Sequence, residues 1–331
     1  MREALFYKQL EDNKVKCKLC PHECIIAEDK SGLCLGRENK DGKLYATNYG
    51  KTISLSMDPV EKKPLYHFYP GENILSIGPN GCNLRCKFCQ NYTSSQEKVP
   101  TRDIDAEQLL SYCKQNDSIG VAYTYTEPLI WYEYILDTAK ILHENDKKVV
   151  LVTNGTINEE PLRKILPFVD AMNIDLKSME DDFYEKVCSG FLEPVKNTIK
   201  IASKETHIEI TNLVIPEYND ADENLNTMID FLQNINPDIP LHISRYFPAY
   251  KLQAAPTPSS TLKKIYKMAK KRLNHVYIGN INIKNTMNTT CPECSELLIK
   301  RQGYFGIEIK ITKENTCPKC GHKIYGEHLY T

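Results

Sequence analysis

Three thiols within eight residues carry the strongest chemical signal in this chain: Cys82, Cys86 and Cys89, in the stretch Gly81-Cys82-Asn83-Leu84-Arg85-Cys86-Lys87-Phe88-Cys89-Gln90-Asn91. A Cys-x3-Cys-x2-Cys loop can wrap one metal site but is too short to fold alone. Three thiolates are one ligand short of a closed tetrahedral zinc site and one short of a fully ligated cubane iron–sulfur cluster. One metal position therefore stays open, and open positions are where metal sites do chemistry. A zinc knuckle that borrows a ligand, or free thiols, are the plainer alternatives.

Two further groups of cysteines flank this loop. Cys17, Cys20, Cys24 and Cys34 sit in a polar, Gly- and Pro-punctuated segment over residues 1–42, with His22 as a substitute ligand. This pattern suggests a small module tied by zinc or by an iron–sulfur cluster, or four reduced thiols packed on the main domain. Near the C-terminus, Cys291-Pro292-Glu293-Cys294 and Cys317-Pro318-Lys319-Cys320 form two knuckles 22 residues apart, with Ile307–Thr312 alternating between them as a strand. Four thiolates so arranged read as a zinc ribbon over 285–331. Its Lys and Glu are mixed and no basic stripe with aromatics is present, so a structural cap or protein-docking role fits better than nucleic-acid binding.

The bulk properties narrow the class. The 331 residues carry 42 basic and 43 acidic side chains, a net charge of −1, so no global field attracts nucleic acid or anionic lipid. No apolar run approaches a membrane span, and the start lacks the apolar core of a signal peptide, which sets the expectation of a cytoplasmic protein. Of the 13 cysteines only Cys113 and Cys188 stand outside the three groups, as buried small hydrophobes. Clustered cysteines in a reducing compartment point to metal or catalysis rather than disulfides.

The elements that must position these residues follow a repeating beat over 43–284. Residues 43–78 alternate weakly and pass through an irregular connection at 58–66 before a short strand, 73–78, runs into the cysteine loop. Helix 105–116, strand 119–126, helix 128–144, strand 148–153, helix 159–166, strand 171–176, helix 180–188, strand 207–215, helix 221–234, strand 240–246, helix 259–273 and strand 275–278 follow. Alternation of this kind implies right-handed βαβ units and a parallel sheet. With about six repeats, the expected fold is α/β, a partial (β/α)6 barrel with a Cys-rich N-terminal module and a C-terminal zinc ribbon. The cysteine loop follows the first strand, Thr126-Glu127-Pro128 the second, Thr153-Asn154-Gly155 the third and Asp175-Leu176-Lys177 the fourth. Taken singly these are ordinary turns and helix starts; their recurrence at successive strand ends predicts one shared mouth.

This ordered set resembles the radical S-adenosylmethionine (SAM) superfamily, and within it the pyruvate formate-lyase activating enzyme group. The Cys17-Lys18-Leu19-Cys20-Pro21 run, the segment 123–134 and Leu241-His242-Ile243-Ser244-Arg245-Tyr246-Phe247-Pro248-Ala249-Tyr250 are similar to the radical SAM member of the AmmeMemoRadiSam system. The resemblance implies that Cys82, Cys86 and Cys89 hold three irons of a [4Fe–4S] cluster, while the fourth iron chelates SAM and one electron cleaves it to a 5′-deoxyadenosyl radical. It implies Phe88 near the adenine, Asn154 beside SAM, Lys177 neutralising the SAM carboxylate and Asp175 orienting Lys177 or a bound cation. Where the activating enzymes carry Gly-Gly-Glu-Pro for the SAM amino group, this chain has Tyr125-Thr126-Glu127-Pro128, so the Thr126 hydroxyl or the Glu127 carboxylate becomes the expected acceptor. His242 and Arg245 are weaker candidates for ribose or substrate contact.

The implied function is hydrogen abstraction from a substrate carbon, with a glycyl radical on a partner protein as product by analogy with the activating enzymes. A one-electron donor of flavodoxin or ferredoxin type and AmmeMemoRadiSam companion proteins are the implied partners; the implied cofactors are the [4Fe–4S] cluster and SAM, beside Zn2+ in the ribbon. The alternatives are radical modification of a peptide or small metabolite, and a non-catalytic zinc-binding or RNA-binding scaffold.

Overall fold

The computed structural model describes residues 1–330. An eight-stranded mixed sheet forms the centre: β1 (Ser54–Pro59), β2 (Asn73–Gly78), β3 (Gly120–Tyr123), β4 (Lys148–Thr153), β5 (Ala171–Asp175), β6 (His207–Val214), β7 (Leu241–Arg245) and β8 (Val276–Gly279). The strands lie side by side in chain order. From β2 to β8 every pairing is parallel, while β1 runs antiparallel along β2. The sheet is open, with β1 and β8 at its edges, rather than a closed barrel. The stretch 58–66, read from sequence as irregular, thus begins inside an edge strand whose apolar alternation is too weak to announce itself.

Six helices cross between the parallel strands: α1 (Ala106–Gln115), α2 (Tyr132–His143), α3 (Glu159–Ile165), α4 (Leu192–Ala202), α5 (Asp222–Ile235) and α6 (Ser259–Ala269). With right-handed crossovers and strands in chain order, they cover one face and leave the strand ends to build the site. Local sequence starts them well. Asp105 caps α1 in a reciprocal capping box with Gln108. Glu127 accepts from the Leu129 N–H and Pro128 opens a 3-10 turn that leads into α2. Strands such as β4, with Val149, Val150 and Leu151 at 0% exposure, are buried on both faces, as parallel strands must be.

Two local expectations are refined. The helix expected at 180–188 is present as a short α-helical stretch, Asp181–Phe183, running into a π-helical turn, Tyr184–Cys188. The longer crossover helix is α4, outside the expected elements, with an apolar stripe of Leu192, Val195, Ile199 and Ala202 and with Pro194 in its first turn, where proline is tolerated. The strand expected at 307–312 is Gly306–Ile309, paired with Leu297–Gln302.

The N-terminal segment folds as two small antiparallel sheets against α2. Buried Arg37 pairs with buried Glu133 of α2 at 2.7 Å, and the Leu5 N–H donates to the same carboxylate. The C-terminal segment, Thr289–Thr290 with the hairpin above, packs on the segment after β1 through Arg301. That guanidinium reaches Glu61, the Tyr66 carbonyl and Thr289, with both Arg301 and Glu61 side chains at 0% exposure. No helix among the described residues is long and apolar enough to cross a membrane.

Candidate active site

The parallel register brings the C-terminal ends of β2 to β6 to one level: Ile77 opposite Tyr123, Tyr123 opposite Leu151, Thr153 opposite Ile174 and Asp175 opposite Thr211. A cavity of about 410 Å³ opens at that level, within the range of small-ligand sites. Cys82, Cys86, Cys89, Phe88, Thr126, Asn154, Asp175 and Lys177 all line it. The loop reaches this position through Gly81, whose φ is +105°. A Cβ there would lie 2.1 Å from the Cys34 carbonyl oxygen, so only glycine lets the loop press so closely on the N-terminal module.

Each thiol is held by a neighbour. The Leu84 N–H donates to Cys82 Sγ at 3.3 Å and the Asn154 amide lies 3.7 Å from it. Cys89 Sγ is 3.3 Å from Ser95 Oγ. Burial and the Glu127 charge push the Cys82 thiol well up; a contact with Cys188, then burial, does the same for Cys86. Thiols so placed ionise when a metal supplies the compensating charge. Among the described residues only the C-terminal cysteines draw all their ligand atoms within 4.8 Å of one another. The loop thiols do not meet that spacing.

On the opposite wall Lys177 Nζ lies 2.7 Å from Asp175 Oδ2 and 5.9 Å from the centroid of Phe88. Burial works to discharge this ammonium, but Asp175 and the neighbouring thiols outweigh it and hold its pKa well above the ordinary lysine value. The site thus keeps a fixed cation beside the cysteine loop. A second pair, Lys63 with Asp58 at 2.8 Å, stands at the rim, with the Lys63 ammonium 5.2 Å from the Tyr125 ring centroid. Lys63 and Tyr125 line the cavity, yet sequence reasoning missed both. The usable signal was Tyr125 itself, which occupies a position where the activating-enzyme pattern has glycine. It keeps a φ of +69°, a left-handed conformation costing a side-chain-bearing residue about 1–2 kcal/mol.

Three expectations are corrected. Glu127 is fully buried and both its oxygens are taken: Oε1 accepts from the Leu129 N–H and the Thr153 hydroxyl, Oε2 from the Asn154 N–H. It is not free to receive an ammonium; it ties the end of β4 to the end of β3. Burial pushes its carboxyl up to about 7 against those three donors. The Thr126 hydroxyl, in the cavity lining, donates its hydrogen to the Pro79 carbonyl at 2.6 Å, which leaves its oxygen able to accept an ammonium as expected. His242 lies away from the cavity, with Nε2 2.6 Å from buried Glu209 and its ring against Tyr66, because the side chain at this point of β7 turns to the side of the sheet that meets the C-terminal segment. Arg245 donates to the Thr257 carbonyl and stacks over Phe247.

The C-terminal cysteines form a separate cage. Cys291 and Cys320 sulfurs are 3.6 Å apart, as are those of Cys294 and Cys317, close to the roughly 3.8 Å that tetrahedral coordination at about 2.3 Å demands. Burial opposes ionisation of Cys317, but backbone N–H groups of Cys320 and Lys319 pull its thiol down to about 7. A metal ion fits this set. Cys17, Cys20, Cys24 and Cys34 lie elsewhere, around a small cavity of their own.

The cysteine loop, the cation beside it and the sheet that presents them define a class, and comparison with known proteins gives the same class. The profile of the Radical SAM superfamily matches residues 76–229, and the chain belongs to that superfamily. It is 47% identical over 308 residues, 91% of this chain and 92% of the other, to the uncharacterized protein MJ0808 of Methanocaldococcus jannaschii. It is 25% identical over 166 residues to the pyruvate formate-lyase-activating enzyme of Clostridium pasteurianum, 47% of this chain and 67% of that one. Among solved structures, Streptococcus suis SuiB bound to S-adenosylmethionine superimposes with a TM-score of 0.51 at 14% identity, over 67% of this chain and 53% of that chain, which is a likeness of fold. Membership implies a [4Fe–4S] cluster and SAM, and radical chemistry.

Proposed function

We propose that Cys82, Cys86 and Cys89 are the three protein ligands of the [4Fe–4S] cluster, and that SAM occupies the cavity they line. The observation that carries this reading is the convergence of all three thiols with Asn154 and the Asp175–Lys177 pair on one cavity wall system at the strand ends. When bound, the cluster and SAM supply a 5′-deoxyadenosyl radical. The chain's own residues do the holding. Lys177 neutralises the SAM carboxylate, since an unpaired carboxylate in this half-closed site is costly, and Asp175 fixes the direction of the ammonium. Phe88 offers an apolar face to the adenine, and Asn154 bridges the SAM side to the cysteine loop through Asn83 at 2.9 Å.

The substrate reading is activation of a partner protein by hydrogen abstraction, in the manner of the activating enzymes, which the similarity to the Clostridium activating enzyme supports; the AmmeMemoRadiSam resemblance adds companion proteins. A one-electron donor of flavodoxin or ferredoxin type and a cytoplasmic setting go with it, the latter because the described cysteines are all unpaired. The C-terminal cage is assigned to Zn2+, as a closed structural site that secures the end of the chain.

Anaerobic reconstitution with iron and sulfide, reduction with SAM and quantification of 5′-deoxyadenosine tests the assignment. Deoxyadenosine is expected from the wild type and none above background from Cys82→Ala, Cys86→Ala or Cys89→Ala. A wild type that binds only zinc and forms no deoxyadenosine overturns it.

A further inference from the structure

Besides the isolated Cys113 and Cys188, four cysteines remain outside both the cysteine loop and the C-terminal cage. Cys17, Cys20, Cys24 and Cys34 come from the N-terminal sheets and the turns between them, and together line a cavity of about 20 Å³ whose remaining wall is largely apolar, including Leu19, Ile26 and Leu129. That is room for roughly one or two waters, or for a group bonded directly to the four sulfurs.

The sulfur spacing differs from that of the C-terminal cage in the same chain. There the four ligand atoms all approach within 4.8 Å, and the N-terminal four do not meet that spacing. A single tetrahedral ion gathers its sulfurs to roughly 3.8 Å and leaves no void among them. A polynuclear cluster holds its cysteines further apart and fills the space between.

A buried nitrogen makes the same point. Arg37 Nε is inaccessible to solvent and has no hydrogen-bond partner in the protein, and Arg37 lines this cavity. The same guanidinium is held by an ion pair with Glu133 at 2.7 Å and by the Ile130 carbonyl at 3.2 Å. Orphaned buried donors are costly. The inorganic sulfides of a cluster seated in this cavity would accept such N–H bonds.

The cavity also abuts the cysteine loop. Asn83, between Cys82 and Leu84, is one of its lining residues. The Cys34 carbonyl packs on Gly81, and Arg85 donates to both the Leu33 and Cys82 carbonyls. We propose that Cys17, Cys20, Cys24 and Cys34 hold a second iron–sulfur cluster, seated behind the loop that carries the first.

The test uses the full chain with Cys82→Ala, Cys86→Ala and Cys89→Ala combined, so that it does not depend on the radical reading. After anaerobic reconstitution this variant is expected to retain about two to four irons, with matching acid-labile sulfide and thiolate-to-iron absorption. Adding Cys20→Ala and Cys24→Ala should abolish all of it. Zinc in the C-terminal cage, unchanged throughout, reports that each variant has folded. In the reduced wild type, electron paramagnetic resonance should show two spin-coupled clusters, with the coupling absent from either variant. Iron-free protein with zinc, or with free thiols, at the four N-terminal positions overturns the proposal. Failure of the radical reading shows instead as absent deoxyadenosine in a wild type whose N-terminal iron is intact.

Discussion

Glu127 offers a sharp test because its three hydrogen bonds are divided unequally between its oxygens. Oε1 takes the Leu129 N–H at 2.9 Å and the Thr153 hydroxyl at 2.7 Å, while Oε2 alone takes the Asn154 N–H at 2.8 Å. At pH 8, above the value of about 7 to which burial raises the group, the carboxylate accepts all three. In Glu127→Gln the amide oxygen can replace Oε1, but the NH2 then faces the Asn154 N–H, donor against donor. One buried backbone donor is left unmet, at about 1–3 kcal/mol. In Glu127→Ala all three are unmet, and the loss should reach about 4 kcal/mol with the added cavity. Urea unfolding at pH 8 measures both. The functional cost should follow the same order, because Asn154 also bonds Asn83 in the cysteine loop: deoxyadenosine yield from reconstituted protein should fall in Gln and be nearly lost in Ala. If the Gln variant is as stable and as active as wild type, the β3–β4 tie does not position the loop and the reasoning fails.

Two further outcomes follow from other parts of the site. Lys177→Met should raise the SAM concentration for half-maximal deoxyadenosine formation by about 10- to 100-fold, as expected for losing one charge-assisted contact; an unchanged SAM dependence would remove Lys177 from the binding role. Arg301→Met should destabilise the chain by about 3–5 kcal/mol in urea unfolding, since it strands the buried Glu61 carboxylate. The effect should be smaller in Arg301→Met with Glu61→Gln, and equal losses in the two would show that the pair is not what binds the C-terminal segment to the sheet.

The cysteine loop, the β/α beat and the polar strand ends were legible in the chain because each is a local pattern. Cysteine spacing limits what one loop can ligate, and apolar periodicity distinguishes a strand from a helix within a few residues. The weak points were also local. The modest alternation of Ser54–Pro59 hid the antiparallel edge strand, and α4 fell outside the expected elements. Tyr125 in a left-handed conformation could be noticed only as a departure from a glycine pattern.

By itself, then, the sequence determined the class of chemistry: three thiols with an open metal position, a four-thiol cage near the end, and a parallel sheet to present the loop. Tertiary structure alone decided which polar groups share the cavity. Glu127 was turned inward to tie two strands, Lys63 was brought in from an edge connection, His242 was placed beside Glu209 outside the cavity, and the N-terminal thiols were set around a void behind Gly81. These outcomes depend on strand register and on which face of the sheet a side chain meets. Both are set by contacts between residues far apart in the chain, and no local spacing encodes them.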